Sequence, residues 1–238
     1  MKTETIAAIA TSLSESGISI IRISGDQARE VADKIVVSKN GKKVSEFKSH
    51  TIHYGHVMDN NTIVDEVMVS FMKGPNSFTA EDTVEINCHG GILVTKKILQ
   101  LILRSGARLA QPGEFTKRAF LNGRIDLSKA EAIMDIIHAD NEFALQVGMK
   151  QLKGSVSKKV SSIREQLIYE IAFIESALDD PEHYSLDGYG DKLRQIIDSV
   201  LADLQRVEDS AENGKIIRQG INTVIVGKPN AGKSSFLN

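Results

Sequence analysis

The sequence predicts an α+β N-terminal domain, an all-α helical domain after it, and finally the first strand and phosphate loop of an α/β domain. Three observations carry this reading. Up to about residue 120, short β-branched runs alternate with short amphipathic stretches. From Ser128 to about Ser210, apolar residues recur at steps of three and four. Near the end, the apolar run Thr223–Val226 leads into Gly227-x-x-x-x-Gly232-Lys233-Ser234. In that pattern glycines let backbone N–H groups close around phosphate oxygens, a lysine supplies a point charge, and a hydroxyl can ligate Mg²⁺. The expected divisions are 1–120, 121–217 and 218–238.

Thr5–Ala10 and Gly17–Ile23 read as strands separated by a polar loop. The second strand is too apolar for an exposed edge, because Ile18, Ile20, Ile21 and Ile23 all lie within it. Arg22 is its odd member and locally reads as a solvent-facing side chain. Asp26–Val37 reads as a short helix with Ala28, Val31, Ala32 and Ile35 on one stripe. Thr51–Met58 and Thr62–Met72 form a predicted hairpin around Asp59-Asn60-Asn61. His50, His53 and His56 suggest a metal site at first glance. A spacing of three does not place them on one strand face, and no Cys or carboxylate cluster accompanies them, so they are read as ordinary strand residues.

Gly74–Asp82 is a loop of turn formers, followed by the strand Thr83–Cys88, by His89-Gly90-Gly91 and by the helix Ile92–Arg104. The paired glycines permit close backbone approach, to a ligand or simply within a tight turn. Glu85 alternates with Val84 and Ile86 and locally reads as a solvated carboxylate. Ala107–Ala110 suggests a short strand, and Glu114–Gly123 a short packed helix or turn. Ser128-x-x-Glu131 has the capping-box spacing ahead of the helix Ala130–Ala139. The helical pattern continues from Phe143 to Leu178, breaks at Pro181 and Gly188, and resumes after Asp191, the expected cap of a further helix.

Composition bounds the function. The net charge of −2 argues against a broadly basic nucleic-acid surface. The single Cys88 can form no internal disulfide. The first twenty residues lack a secretory pattern, and no apolar run approaches the roughly 20 residues needed to span a bilayer. A soluble, cytoplasmic protein without a membrane partner is expected.

Several segments together resemble one family, the tRNA-modification GTPases MnmE (TrmE). They are Ile20–Gly25, Gly74–Thr79 with Glu81 and Asp82, His89–Gly91, Pro112–Arg124, Asp126-Leu127, Ala130–Ile133 and Gly227–Ser235, in the family's order along nearly the whole chain. A phosphate loop alone would be shared by a great many proteins; this series is specific. The resemblance implies a tetrahydrofolate-binding N-terminal domain that forms a homodimer. It also implies a helical domain with the G domain inserted in it, and a flavin-containing partner, MnmG (GidA). With that partner the family adds an aminomethyl or carboxymethylaminomethyl group at C5 of the wobble uridine of certain tRNAs. A formyl- or methylene-tetrahydrofolate is the one-carbon donor, and GTP hydrolysis drives a conformational cycle.

Carried over position by position, the resemblance implies folate contacts at Arg22, Glu85 and Arg124. A glutamate suits the donor edge of an aminopyrimidinone, and arginines suit carboxylates and carbonyls. The family often has lysine at the position of Arg124, which keeps the charge and changes the contact geometry. Asn230, Ala231, Gly232, Lys233, Ser234 and Ser235 match the nucleotide-phosphate positions, with Ser234 on Mg²⁺ and Asn230 on K⁺. The switch segments, the guanine-reading element and the second half of the helical domain would follow Asn238. The chain therefore reads as an N-terminal fragment, expected to bind folate and dimerise without hydrolysing GTP. Two other readings compete: a non-catalytic dimerisation scaffold with a vestigial folate pocket, and a complete small phosphate-loop ATPase. The second fails because one strand cannot supply the sheet such a domain needs.

Overall fold

The structure is a computed structural model; it describes residues 4–219, 224 and 226–228, with backbone alone over 210–219. Two compact units divide between Asp126 and Leu127. The first is built on a seven-stranded sheet: β1 (Ile6–Ile9), β2 (Ser16–Ser24), β3 (Val36–Ser38), β4 (Thr51–Asp59), β5 (Thr62–Met72), β6 (Thr83–Gly90) and β7 (Arg108–Leu109). Their spatial order is β3-β4-β5-β6-β2-β1-β7, antiparallel throughout except where β7 joins β1 in parallel.

Residues paired across strands share a face, so the register sorts the sheet into rows. One row runs His53, Val69, Ile86, Ile21 and Ile9, and the next runs Thr51, Phe71, Val84, Ile23 and Ala7. These rows form the core with α1 (Ala28–Asp33) and α2 (Ile92–Arg104), which contribute Ala28, Val31, Ala32, Ile98, Leu101 and Ile102. On the opposite face, Tyr54, Met68, Asn87 and Ile20 form one row; Ile52, Ser70, Glu85, Arg22 and Ala8 form the next. Ile18, Ile52, Tyr54 and Met68 are exposed there.

The expected helix Asp26–Val37 is shorter than its apolar stripe. It ends at Asp33, and Val36–Ser38 instead pairs with β4, with the Ile35 carbonyl accepting from the Met58 N–H at 2.7 Å. Sheet pairing and burial outweigh helix propensity in so short a segment. Likewise β6 runs on through His89 to Gly90, which reads by sequence as a turn. The close approach that the glycines permit is to the chain itself: a Cβ on Gly90 would lie 2.3 Å from the Ser16 carbonyl oxygen on β2.

A buried ionic network fastens the loop 73–82 and α3 (Glu114–Leu121) onto the sheet. Arg118 forks between the carboxylates of Glu81 (3.1 Å) and Glu114 (3.1 Å), and its Nη2 also donates to the Glu4 carbonyl. Ser24, fully buried on β2, donates to Glu81 and bonds Thr79 at 2.7 Å. Asn122 donates to the Thr79 carbonyl at 2.7 Å. Glu114 also binds Arg108 and the Gln111 N–H. Those bonds, that of Arg108 foremost, pull its carboxyl from the usual 4.5 down to about 2.

The second unit contains α4 (Leu127–Ile137), α5 (Glu142–Leu152), α6 (Ser155–Asp179) and α7 (Tyr189–Gln219). Asn141 caps α5 by accepting from the Ala144 N–H. The expected capping box at Ser128 is corrected: the helix already begins at Leu127, and the Ser128 hydroxyl bonds that of Ser157 at 3.1 Å. The pattern from Phe143 to Leu178 is two helices rather than one, broken where Gly154 takes a left-handed φ of 80°. Asp191 is not the cap of the last helix, which starts at Tyr189 because that ring is buried against Phe173 and its hydroxyl bonds Glu170. Helices α6 and α7 run antiparallel, as the order of the Lys159–Asp203 and Glu170–Tyr189 pairs along them requires. Val224 and Val226 lie in no strand and are exposed. The phosphate-loop residues Asn230–Ser235 lie outside the described residues.

Substituting Gly90→Ala should destabilise the first unit by about 1–3 kcal/mol in denaturant unfolding, because backbone on β2 must move aside. Glu114 should contribute on the order of 2 kcal/mol at neutral pH. Its folded pKa lies below the unfolded one, so that contribution is fully present above about 4.5 and fades as pH falls through about 2. The stability difference between the native protein and Glu114→Gln should therefore shrink between those two pH values.

Candidate functional site

The register brings two of the three expected folate positions together. Arg22 on β2 stands directly opposite Glu85 on β6, and its Nε donates to Glu85 Oε1 at 2.7 Å. Neither is the freely solvated residue its own strand suggests: the side chains retain 26% and 20% of their exposure. Only one nitrogen and one oxygen are used in the pair. The Nη groups of Arg22 and Oε2 of Glu85 keep unused capacity among the described residues.

Arg124, nearly 40 residues further along, reaches the same cluster through an aromatic side chain. Its Nη1 donates to the Phe78 carbonyl at 3.0 Å, and its guanidinium lies 5.4 Å from the centroid of the Phe78 ring. The Arg22 guanidinium lies 5.4 Å from the same centroid and 5.6 Å from that of Phe115 on α3. Each such contact is worth about 0.5–1 kcal/mol where solvent reaches it. Phe78 is thus the shared neighbour of two cations that would otherwise repel. Sequence reading missed it, although an aromatic inside a loop of turn formers, Gly74–Asp82, was a usable signal.

The same face continues past the cluster. Two positions beyond Glu85 along β6 is Asn87, whose Oδ1 is buried without a hydrogen-bond partner among the described residues. It lines a shallow cavity of about 210 Å³ with Ile18, Tyr54, Glu66, Met68 and His89. None of Arg22, Glu85 or Arg124 lines that cavity. His89 donates its backbone N–H to Asp65, and its Nδ1 lies 2.7 Å from the same carboxylate, which raises the imidazole pKa. Cys88 points to the opposite, buried side, where desolvation pushes its thiol pKa up.

The arrangement can accept donors at a carboxylate and donate from guanidiniums beside two aromatic rings, a fit for a planar heterocycle carrying donors and anionic groups. The histidines do not converge: His53 stacks on Phe47 with centroids 3.6 Å apart, while His56 faces Glu66 from the other side of β4. No group of three metal-ligating side chains occurs among the described residues. No helix among them is long and apolar enough to cross a membrane.

Two family models match the chain. One, described as the N-terminus of the GTP-binding protein TrmE, covers residues 5–124; the other, described as the MnmE helical domain, covers 127–234. Among curated proteins, the tRNA modification GTPase MnmE of Lachnoclostridium phytofermentans is 60% identical across all of this chain and 52% of its own length. Its counterparts in Alkaliphilus oremlandii and Clostridioides difficile are 55% and 52% identical over 99% of this chain and 51% of theirs. The chain therefore spans about half the length of the curated relatives it matches. Matched end to end in this way by the two models, the chain belongs to the MnmE (TrmE) family.

Proposed function

We propose that this chain forms the folate-binding and self-associating part of a GTPase that modifies the wobble uridine of tRNA. The observation that carries the reading is the Arg22–Glu85 pair on one sheet face, joined through Phe78 to Arg124 from just after α3. Glu85 Oε2 would accept from the aminopyrimidinone edge of a reduced folate, and the arginines would hold its carbonyl or carboxylate oxygens. The bound folate supplies the one-carbon unit. This chain's residues orient it and shield one side with the rings of Phe78 and Phe115.

The remaining assignments rest on family membership. Asn230 to Ser235 would hold the nucleotide phosphates, with Ser234 on Mg²⁺ and Asn230 on K⁺. The flavin-containing MnmG and the tRNA would be partners of the full-length protein. Self-association is supported by a physical observation: Ile18, Ile52, Tyr54 and Met68 stand exposed side by side on the sheet face that carries the cluster. Apolar sheet faces of this kind are covered in stable assemblies.

A second reading, a dimerisation scaffold with a vestigial pocket, is favoured by one observation: Glu85 already holds Arg22. Calorimetric titration with 5-formyltetrahydrofolate separates the two. The folate reading expects saturable binding, weakened about 10-fold or more by Glu85→Ala through loss of charge-assisted hydrogen bonds. A folded dimer with no response to folate would overturn it and leave the scaffold. Sedimentation of the native chain should give a dimer, and the double variant Ile52→Asp with Met68→Asp a folded monomer. A native monomer at high concentration would refute self-association.

A further inference from the structure

The loop that carries Phe78 is held from beneath by groups that do not belong to the site. Its near end is tied by the Gly74 N–H to Asp82, itself paired with Arg29 at 3.2 Å. Its middle depends on α3 and the residues just after it. Arg118 donates to both oxygens of Glu81 from a position 8% exposed, and Asn122 donates to the Thr79 carbonyl next to Phe78. Thr79, fully buried, also bonds Ser24 on β2, in register with Thr83 on β6. The stretch directly after Phe78 is therefore bolted both to the sheet, through Ser24, and to α3 and its C-terminal end, through Arg118 and Asn122.

We infer that Arg118, Glu81 and Asn122 are positioning residues that set where the Phe78 ring stands and, through it, how Arg22 and Arg124 are aimed. This deepens the folate reading and rests on it. Arginine side chains have many rotamers, and ordering each at binding costs affinity unless it is already ordered. Both guanidiniums here lie over one ring, so a loop free to shift would release both together. Arg118 suits the task because its planar fork donates in fixed directions from two nitrogens, Nη1 to both oxygens of Glu81 and Nη2 to Glu114 and the Glu4 carbonyl. Lysine's single flexible ammonium does not reproduce that geometry. The family resemblance implies folate contacts at Arg22, Glu85 and Arg124; a role for Arg118, Glu81 and Asn122 in placing them rests on the geometry.

The experiment is a set of 5-formyltetrahydrofolate titrations on the native chain, Arg118→Lys, Asn122→Ala, Phe78→Ala, and Phe78→Ala combined with each of the other two. Each single variant should weaken binding about 2- to 10-fold. The combined variants should bind no more weakly than Phe78→Ala, since the pins act through that ring. Losses that multiply instead would overturn the inference. Thermal unfolding accompanies every variant; if Arg118→Lys fails to fold, Asn122→Ala, which gives up one bond at a surface position, carries the test. A second readout needs no ligand: the Nε–H resonances of Arg22 and Arg124 should shift in Asn122→Ala toward their positions in Phe78→Ala. Native resonances in a folded Asn122→Ala would sink the inference. Absence of folate binding by the native chain, with those shifts present, would overturn the folate reading and leave the positioning of the arginines standing.

Discussion

The antiparallel register between β2 and β6 decides which side chains meet on each face of the sheet, and the rest of the first unit follows from it. With Ile21 opposite Ile86 and Ile23 opposite Val84, the core face is filled. The intervening positions then necessarily set Arg22 against Glu85 on the other face. A slip of β2 by one residue would drive Arg22 into the core and expose Ile21 and Ile23, so the register is strongly enforced. Gly90 guards its far end, where Ser16 approaches too closely for any side chain. The ion pair is consequently a by-product of core packing as much as an interaction in its own right, and it holds a guanidinium and a carboxylate ready without much further ordering.

The face that carries this pair is covered unevenly. At one end the loop 73–82 and α3 close over it, buried polar against buried polar: Ser24, Thr79, Glu81 and Arg118 satisfy one another. Such a network stabilises only when every member is partnered, and removing one partner of a buried ion pair costs about 3–5 kcal/mol. At the other end the face carries Ile18, Ile52, Tyr54 and Met68, which are exposed among the described residues. The candidate folate cluster stands at the border between these regimes. One of its sides is rigid and polar; the other is apolar and exposed, which suits both a flat ligand and a second protein surface.

Much of this was legible in the chain read residue by residue. The strands, the hairpin at Asn60 and the helix Ile92–Arg104 follow from periodicity and turn chemistry, since each is long or strongly patterned. The errors cluster where local and tertiary preferences compete. Val36 has helix-compatible spacing and is taken by the sheet edge; Ser128 has capping chemistry and spends its hydroxyl on Ser157 instead. Tyr189 reads as loop, because its burial against Phe173 cannot be inferred from neighbours in sequence.

What the sequence alone determined is the identity of the parts: alternating strands, amphipathic helices, and an ordered motif series specific enough to name a family. Local pattern carries that information because side-chain period and turn residues are short-range properties. Only the tertiary structure decided that Arg22, Glu85, Phe78 and Arg124 are neighbours, for they lie up to 102 positions apart in the chain. It also showed that Arg118, a cation within a short amphipathic helix by sequence, is buried and forked between two carboxylates. Contacts of that range depend on strand order and register, which are set by the packing of the whole core rather than by any one segment.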